Sequence, residues 1–119
     1  MITHINFVSI PTRNQDKALA FYTEKLGFKL VTDQPFNEKQ RWIELRIGGS
    51  ATRFVLFTRD ESRIGTLFEG ALACDNVVKT YEELKAKGVE FTEHPKKEHW
   101  GTFAMLKDLD GNQFLLSSK

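Results

Sequence analysis

Residues 14–28, NQDKALAFYTEKLGF, contain the clearest helix signal in the first half of the chain. Asn14 can cap the amino end, and the apolar residues that follow recur at helical spacing. Gly27 can adopt the left-handed conformation that commonly ends a helix. An apolar, β-branched strand precedes this helix and ends at Pro11, and a short strand follows it from Phe28.

Residues 41–47 alternate between two kinds of side chain, as a strand with two different faces does. The aliphatic set is Ile43, Leu45 and Ile47, and the other set is Trp42, Glu44 and Arg46. Residues 48–50, Gly-Gly-Ser, predict a hairpin turn, and residues 52–58 predict the returning strand. The first half therefore has the predicted order β-α-β-β-β.

The second half repeats this order with its own signals. Asp75 or Asn76 caps a second helix, Gly88 ends it, and Asp110-Gly111 predicts the last hairpin turn. Like Asn14 and Gly27, Asp75 and Gly88 are separated by 13 positions. We predict one domain, residues 1–119, of two pseudo-repeats at about 1–60 and 65–119, whose sheets form a concave cleft for a small molecule.

Composition excludes several classes of protein. Hydrophobic residues make up 40% and charged residues 28% of the 119, with a net charge of +1. Such a balance attracts neither nucleic acid nor an anionic membrane surface, so we expect no partner of either kind. Cys74 is the only cysteine, which excludes an intramolecular disulfide. The amino end lacks the features of a secretory signal, and we expect a cytoplasmic protein.

Three segments carry a resemblance to a known family. They are KALAFYTEKLGF at 17–28, VKTYEELKAKGVEF at 78–91 and WGTFAMLKDLDGNQF at 100–114. In this order they resemble the helices and last hairpin of the vicinal oxygen chelate superfamily, which contains glyoxalases, bleomycin resistance proteins and extradiol dioxygenases. The resemblance implies an α+β fold of two βαβββ modules. It does not fix the function, because this scaffold serves isomerases, lyases, dioxygenases and antibiotic-binding proteins.

The metal-dependent members hold a divalent ion with His, Gln or Glu side chains from the first and last strands of each module. Counted from the helices and turns, the four positions fall on Phe7, Leu56, Glu69 and Leu115. Only Glu69 offers a donor atom, so the resemblance implies neither a metal nor another cofactor here. His4 would need a three-residue slip, which would turn its side chain to the opposite face of the strand.

Period-two alternation from these positions predicts an apolar, aromatic cleft with few charges. The expected ligand-binding residues are Phe7, Trp42, Glu44, Arg46, Phe54, Leu56, Glu69, Trp100, Phe103 and Leu115. The same rings could instead be ordinary core, with Glu44 and Arg46 as a surface pair.

Three kinds of function remain open. The first is a protein that binds a small molecule without catalysis. The alternative is a lyase or isomerase, either divergent and metal-dependent or metal-free, with Glu69, Glu44 or His99 as acid or base. A structural or regulatory module is the third option. In each case we expect a homodimer, because two open sheets leave edges that need covering.

Overall fold

The computed structural model, which describes Met1–Lys119, contains eight strands in two four-stranded mixed sheets. The chain divides into two units, Met1–Ile64 and Gly65–Lys119, and each unit contains one sheet with its helix. This arrangement confirms the predicted fold class of two βαβββ modules. No helix in the structure has the length and apolar content that a membrane crossing requires.

The first unit has its strands in the order β1-β4-β3-β2, with β1 parallel to β4 and the other pairs antiparallel. Its elements are β1 (Phe7–Ile10), α1 (Gln15–Ala20), a π-helical turn (Phe21–Lys25), β2 (Lys29–Pro35), β3 (Arg41–Arg46), β4 (Arg53–Leu56) and a 3₁₀ turn (Glu61–Arg63).

The second unit has the equivalent order β5-β8-β7-β6, with β5 parallel to β8. Its elements are β5 (Leu67–Ala73), α2 (Val77–Ala86), β6 (Glu90–Glu98), β7 (Gly101–Lys107) and β8 (Gln113–Ser118). Strand β6 continues to Glu98 and includes Pro95, although proline cannot donate a hydrogen bond to a sheet. Proline is tolerated in this strand because β6 lies at the edge of the sheet.

Both helices begin where the sequence predicts. The Asn14 carboxamide accepts a hydrogen bond from the Lys17 backbone N–H at 3.0 Å. In the second helix, the Asn76 carboxamide accepts from the Lys79 backbone N–H, also at 3.0 Å. The first helix widens into a π-helical turn after Ala20, where the Thr23 hydroxyl donates to the Leu19 carbonyl at 2.7 Å. A hydroxyl bonded in this way competes with the backbone pattern of the helix.

The core of the first unit is an aromatic cluster between the helix and the sheet. The Tyr22 and Phe54 ring centroids are 4.9 Å apart, and Phe28 lies 5.2 Å from Phe54. Tyr22 and Phe54 are almost fully buried. Two consecutive rings, Phe21 and Tyr22, are buried at the widened turn. Burial of such rings is the main favourable term in the stability of this unit.

A side-chain amide fastens the start of α1 to the sheet. Gln15 donates to the carbonyls of Arg41 and Leu56 at 2.7 and 2.8 Å, and its carbonyl oxygen accepts from the Arg41 N–H at 2.9 Å. The Arg41 side chain binds Asp33 at 2.9 Å and Asp16 at 2.8 Å. The hydrogen bonds that its guanidinium donates to Asp33, and then to Asp16, raise the pKa of Arg41 above its ordinary value.

Candidate functional site

The first sheet has two chemically different faces. The face toward the helix carries Ile43 and Leu45 on β3, paired across the sheet with Leu56 and Phe54 on β4. All four are buried, and the Phe54 ring contacts Tyr22 of the π-helical turn. Residues of the other parity, including Phe7, Trp42, Glu44 and Arg46, therefore lie on the face opposite the helix. We call this second face the open face.

The expected placement of Phe54 and Leu56 on the same face as Phe7 is wrong. Phe7 pairs with Arg53, whereas Phe54 pairs with Val8. The connection from β3 to β4 is longer than a two-residue hairpin, and the ladder closes with Arg46 opposite Arg53. This shifts β4 by one residue, and such a shift turns every side chain to the other face.

Val55 consequently takes the position on the open face that the sequence assigned to Leu56. It is paired with Ser9 on β1 and with Glu44 on β3. Because valine has no donor atom, this correction adds no metal ligand to the sheet. Phe7, Val55 and Leu115 do not fit the ligand set that the superfamily's metal requires.

Four aromatic rings meet at the open face. Trp42 lies 5.2 Å from Phe7, 5.2 Å from Phe57 and 6.0 Å from Phe36, measured between ring centroids. The Phe36 and Phe57 rings are 4.8 Å apart and edge to face. We call Phe7, Phe36, Trp42 and Phe57 the aromatic cluster. Its members are only partly buried, and Phe36 is 59% exposed.

Sequence reasoning found Phe7 and Trp42 but missed Phe36 and Phe57. Phe57 was missed because of the one-residue error in β4. Phe36 follows β2 and reaches the cluster through a tertiary contact: Gln40 binds the backbone N–H and carbonyl of Thr58 at 2.8 and 2.9 Å. Phe36 donates its own N–H to the Gln40 carbonyl at 3.1 Å. The β2–β3 turn is thereby held against the end of β4, and this tertiary contact has no local signal in the sequence.

Glu44 holds the polar edge of the aromatic cluster. The indole N–H of Trp42 donates to its carboxylate at 2.9 Å, and the Arg53 guanidinium lies 3.7 Å from its other oxygen. Both oxygens thus have partners within the sheet. The indole N–H is satisfied internally, which leaves the ring faces of Trp42 available for apolar contact.

Two of the predicted residues of the second unit, Phe103 and Leu115, share one face of its sheet. Phe103 and Met105 on β7 are paired with Ser117 and Leu115 on β8, opposite the buried Ala104 and Leu106. Trp100 stacks on Phe103 with centroids 5.7 Å apart and planes 20° apart. Trp100 is 49% exposed and borders a cavity of about 520 Å³ that also includes Cys74 and Ser117.

The remaining acid–base candidates lie apart from catalytic partners. Glu69 is exposed on β5, and His99 is exposed in the turn between β6 and β7. His4 is exposed near the amino end, where its ring contacts the Thr3 hydroxyl at 2.9 Å. No group of three or more His, Cys, Asp or Glu side chains is placed to hold a metal ion.

We predict that the purified protein retains no stoichiometric metal. Phe7, Val55 and Leu115 lack donor atoms, so divalent ions have at most single carboxylates to bind. Elemental analysis after incubation with zinc, nickel and manganese, followed by dialysis, should give well below one ion per chain. Retention of one ion per chain would contradict this prediction. The variants Glu69→Gln and His4→Ala would then show which of the two side chains binds the ion.

The chain belongs to the Glyoxalase/Bleomycin resistance protein/Dioxygenase superfamily, whose family model matches residues 2–116. This confirms the resemblance found in the three sequence segments. The uncharacterized protein YetH of Bacillus subtilis is 37% identical over 98% of each chain. A probable chloroplastic lactoylglutathione lyase of Arabidopsis thaliana is 33% identical to this chain. The alignment covers 87% of this chain and 32% of the lyase.

A solved structure adds a relative with a described ligand class. TnmS3, an antibiotic binding protein from Streptomyces sp. CB03234, is 33% identical, with a TM-score of 0.87. The alignment covers 98% of this chain and 96% of TnmS3. The superfamily and its fold are therefore established for this chain, and its relatives differ in what they do.

Proposed function

We propose that this protein binds a small planar, largely apolar molecule at the aromatic cluster on the open face of the first sheet. The observation that carries the proposal is the Trp42 ring in contact with Phe7, Phe36 and Phe57 on the face opposite the helix. Concave, aromatic surfaces with a few placed polar groups are typical of small-molecule sites. The antibiotic-binding relative TnmS3 gives independent support.

A purely structural role explains these rings less well. The aromatic core of this unit already lies on the other face of the sheet, around Tyr22 and Phe54. Phe36 is largely exposed and contributes little to burial, yet it is held in contact with Trp42 by a turn that Gln40 fixes to β4. A ring that is fixed and exposed in this way favours recognition over core packing.

Catalysis as a lyase or isomerase has less support from the same residues. Glu44 is engaged by the Trp42 indole and by Arg53, so its carboxylate acts as an anchor for the ring. Glu69 and His99 are exposed and lie outside the aromatic cluster. A general acid or base needs a positioned partner or substrate within hydrogen-bond reach. We therefore favour binding over the enzymatic alternative.

Replacing Trp42 by alanine should weaken binding of a neutral planar probe, N-phenyl-1-naphthylamine. Loss of one large apolar contact costs about 1–3 kcal/mol, or roughly 5- to 150-fold in affinity. Fluorescence titration gives the affinity, and Trp42→Phe should retain most of it.

The matched control is Trp100→Phe, which alters the other tryptophan and should leave the affinity unchanged. Thermal unfolding of each variant shows whether the protein remains folded. Unchanged affinity in a folded Trp42→Ala variant contradicts the proposed site. Loss of affinity in Trp100→Phe alone moves the site to the second unit.

We further propose that the protein is a cytoplasmic homodimer. Strand β1 forms one edge of the first sheet and β5 one edge of the second, and exposed edges are commonly covered by association. The single free thiol, Cys74, suits a reducing compartment. Light scattering coupled to size exclusion should give about twice the chain mass of 13.7 kDa. A monomer at micromolar concentration contradicts the dimer.

A further inference from the structure

A row of basic side chains crosses three neighbouring strands of the first sheet. Lys29 on β2 is paired with Arg46 on β3, and Arg46 is paired with Arg53 on β4. Residues paired directly across a sheet project from the same face, and like charges in that position repel each other. Arg46 shares its parity with Trp42 and Glu44, so the row lies on the open face.

Little negative charge compensates this row. Glu44 is the nearest carboxylate on the open face, at 3.7 Å from Arg53, and its other oxygen accepts the Trp42 indole N–H. Lys29 and Arg46 are exposed, and the ion pairs of the chain involve other residues. The row therefore has three positive charges and only one neighbouring carboxylate, which already has two partners.

The row lies at a fixed distance from the aromatic cluster. Trp42 and Arg46 are four residues apart on β3, which places their Cα atoms about 13 Å apart at the usual rise per residue. The long arginine side chain shortens the gap between the ring and the guanidinium. Phe7, a member of the cluster, is directly paired with Arg53. A molecule of two or three fused rings can therefore reach from Trp42 to the row.

We propose that Arg46, supported by Lys29 and Arg53, binds the acidic group of a planar aromatic ligand whose rings rest on the aromatic cluster. The ligand class is an aromatic acid with a carboxylate, sulfonate or phosphate at one end, and the inference rests on the proposed function. The guanidinium group is suited to such anions because its donors match two acidic oxygens at once. Glu44 lies between the two ends and repels an acid placed over Trp42, which sets the orientation of the ligand.

Two probes that differ in one group test this inference. The anion 8-anilinonaphthalene-1-sulfonate and the neutral N-phenyl-1-naphthylamine share the same rings, and only the first carries an acid. At low salt the full-length protein should bind the anion more tightly than the neutral compound. Salt should reduce this preference, because it screens exposed charges.

The decisive variant is Arg46→Gln, which removes the charge and keeps a polar side chain of similar reach. Affinity for the anion should fall roughly three- to fivefold, the scale of an exposed charge pair, while affinity for the neutral probe stays constant. Lys79→Gln removes the same charge from the exposed side of α2 and should change neither affinity. Trp42→Ala should weaken binding of both probes, which would show that both bind at the aromatic cluster.

The outcomes separate this inference from the proposed function. The inference is overturned if the unmodified protein binds both probes with equal affinity. It is also overturned if Arg46→Gln leaves both affinities unchanged or lowers both equally. Either result leaves the proposed aromatic site standing. If neither probe binds the unmodified protein, the aromatic site itself is wrong, and this inference falls with it.

Discussion

Replacing Phe54 by alanine should lower the free energy of unfolding by about 3–5 kcal/mol, as truncation of a buried phenylalanine does. Phe54 is only 1% exposed, and its ring contacts Tyr22 and Phe28 in the core of the first unit. The remaining rings cannot fill the cavity that the change leaves. Urea unfolding followed by circular dichroism measures the loss. A domain of ordinary stability is left only marginally folded.

Phe57→Ala is the matched variant, because it removes the same ring three positions further along and on the other face. It should weaken binding of N-phenyl-1-naphthylamine and cost much less stability, since Phe57 is only partly buried. Phe54→Leu, which keeps most of the volume, should fold and bind the probe normally. A Phe54→Leu variant that is stable but no longer binds the probe would indicate that Phe54 lies on the ligand-binding face.

Replacing Asn112 by alanine should lower the free energy of unfolding by about 2–4 kcal/mol, because it removes one buried and one partly buried hydrogen bond. Its amide donates to the Asp108 carboxylate at 2.8 Å, and its oxygen accepts from the Gly65 N–H at 2.8 Å. Asn112 is 3% and Asp108 7% exposed, so water does not readily replace the bond between these two side chains. Thermal and urea unfolding measure the cost.

Asn37→Ala provides the control for this second prediction. Asn37 also organises a turn, accepting from the N–H groups of Lys39 and Gln40 at 2.8 Å each, but it is exposed. Water can replace its bonds, so the expected cost is about 0.5–1 kcal/mol. Similar losses in the two variants would show that burial of the Asp108–Asn112 pair adds nothing to stability.

The parts of the fold that the sequence predicted correctly depend on local signals. Asn14 and Asn76 cap the helices, and Gly27 and Gly88 follow them with φ angles of 76° and 88°. Each signal acts over a few residues, which is why a single sequence suffices to find it. The π-helical turn was missed because it reflects packing of Phe21 and Tyr22 as much as local preference.

Register separates the residues that lie on the expected face of a sheet from those that do not. The last hairpin turns at Asp110-Gly111, which fixes Met105 opposite Leu115 on the face away from the buried Ala104 and Leu106. The first module instead connects its hairpin through residues 47–52, and no local pattern specifies how many of these residues remain unpaired. The alternation of side chains along β4 cannot show which set faces the helix, because one extra unpaired residue in the connection exchanges the two faces. Phe54 and Leu56 were misplaced for this reason.

The Gln15 amide has a further consequence for Trp42. It occupies both the N–H and the carbonyl of Arg41, the residue next to Trp42, much as a neighbouring strand would. The Arg41 side chain is tied to Asp33 and Asp16, and the indole is tied to Glu44. The tryptophan is thus ordered before any ligand arrives. Its conformational entropy is already lost on folding, so complex formation avoids that penalty and retains more of the contact energy as affinity.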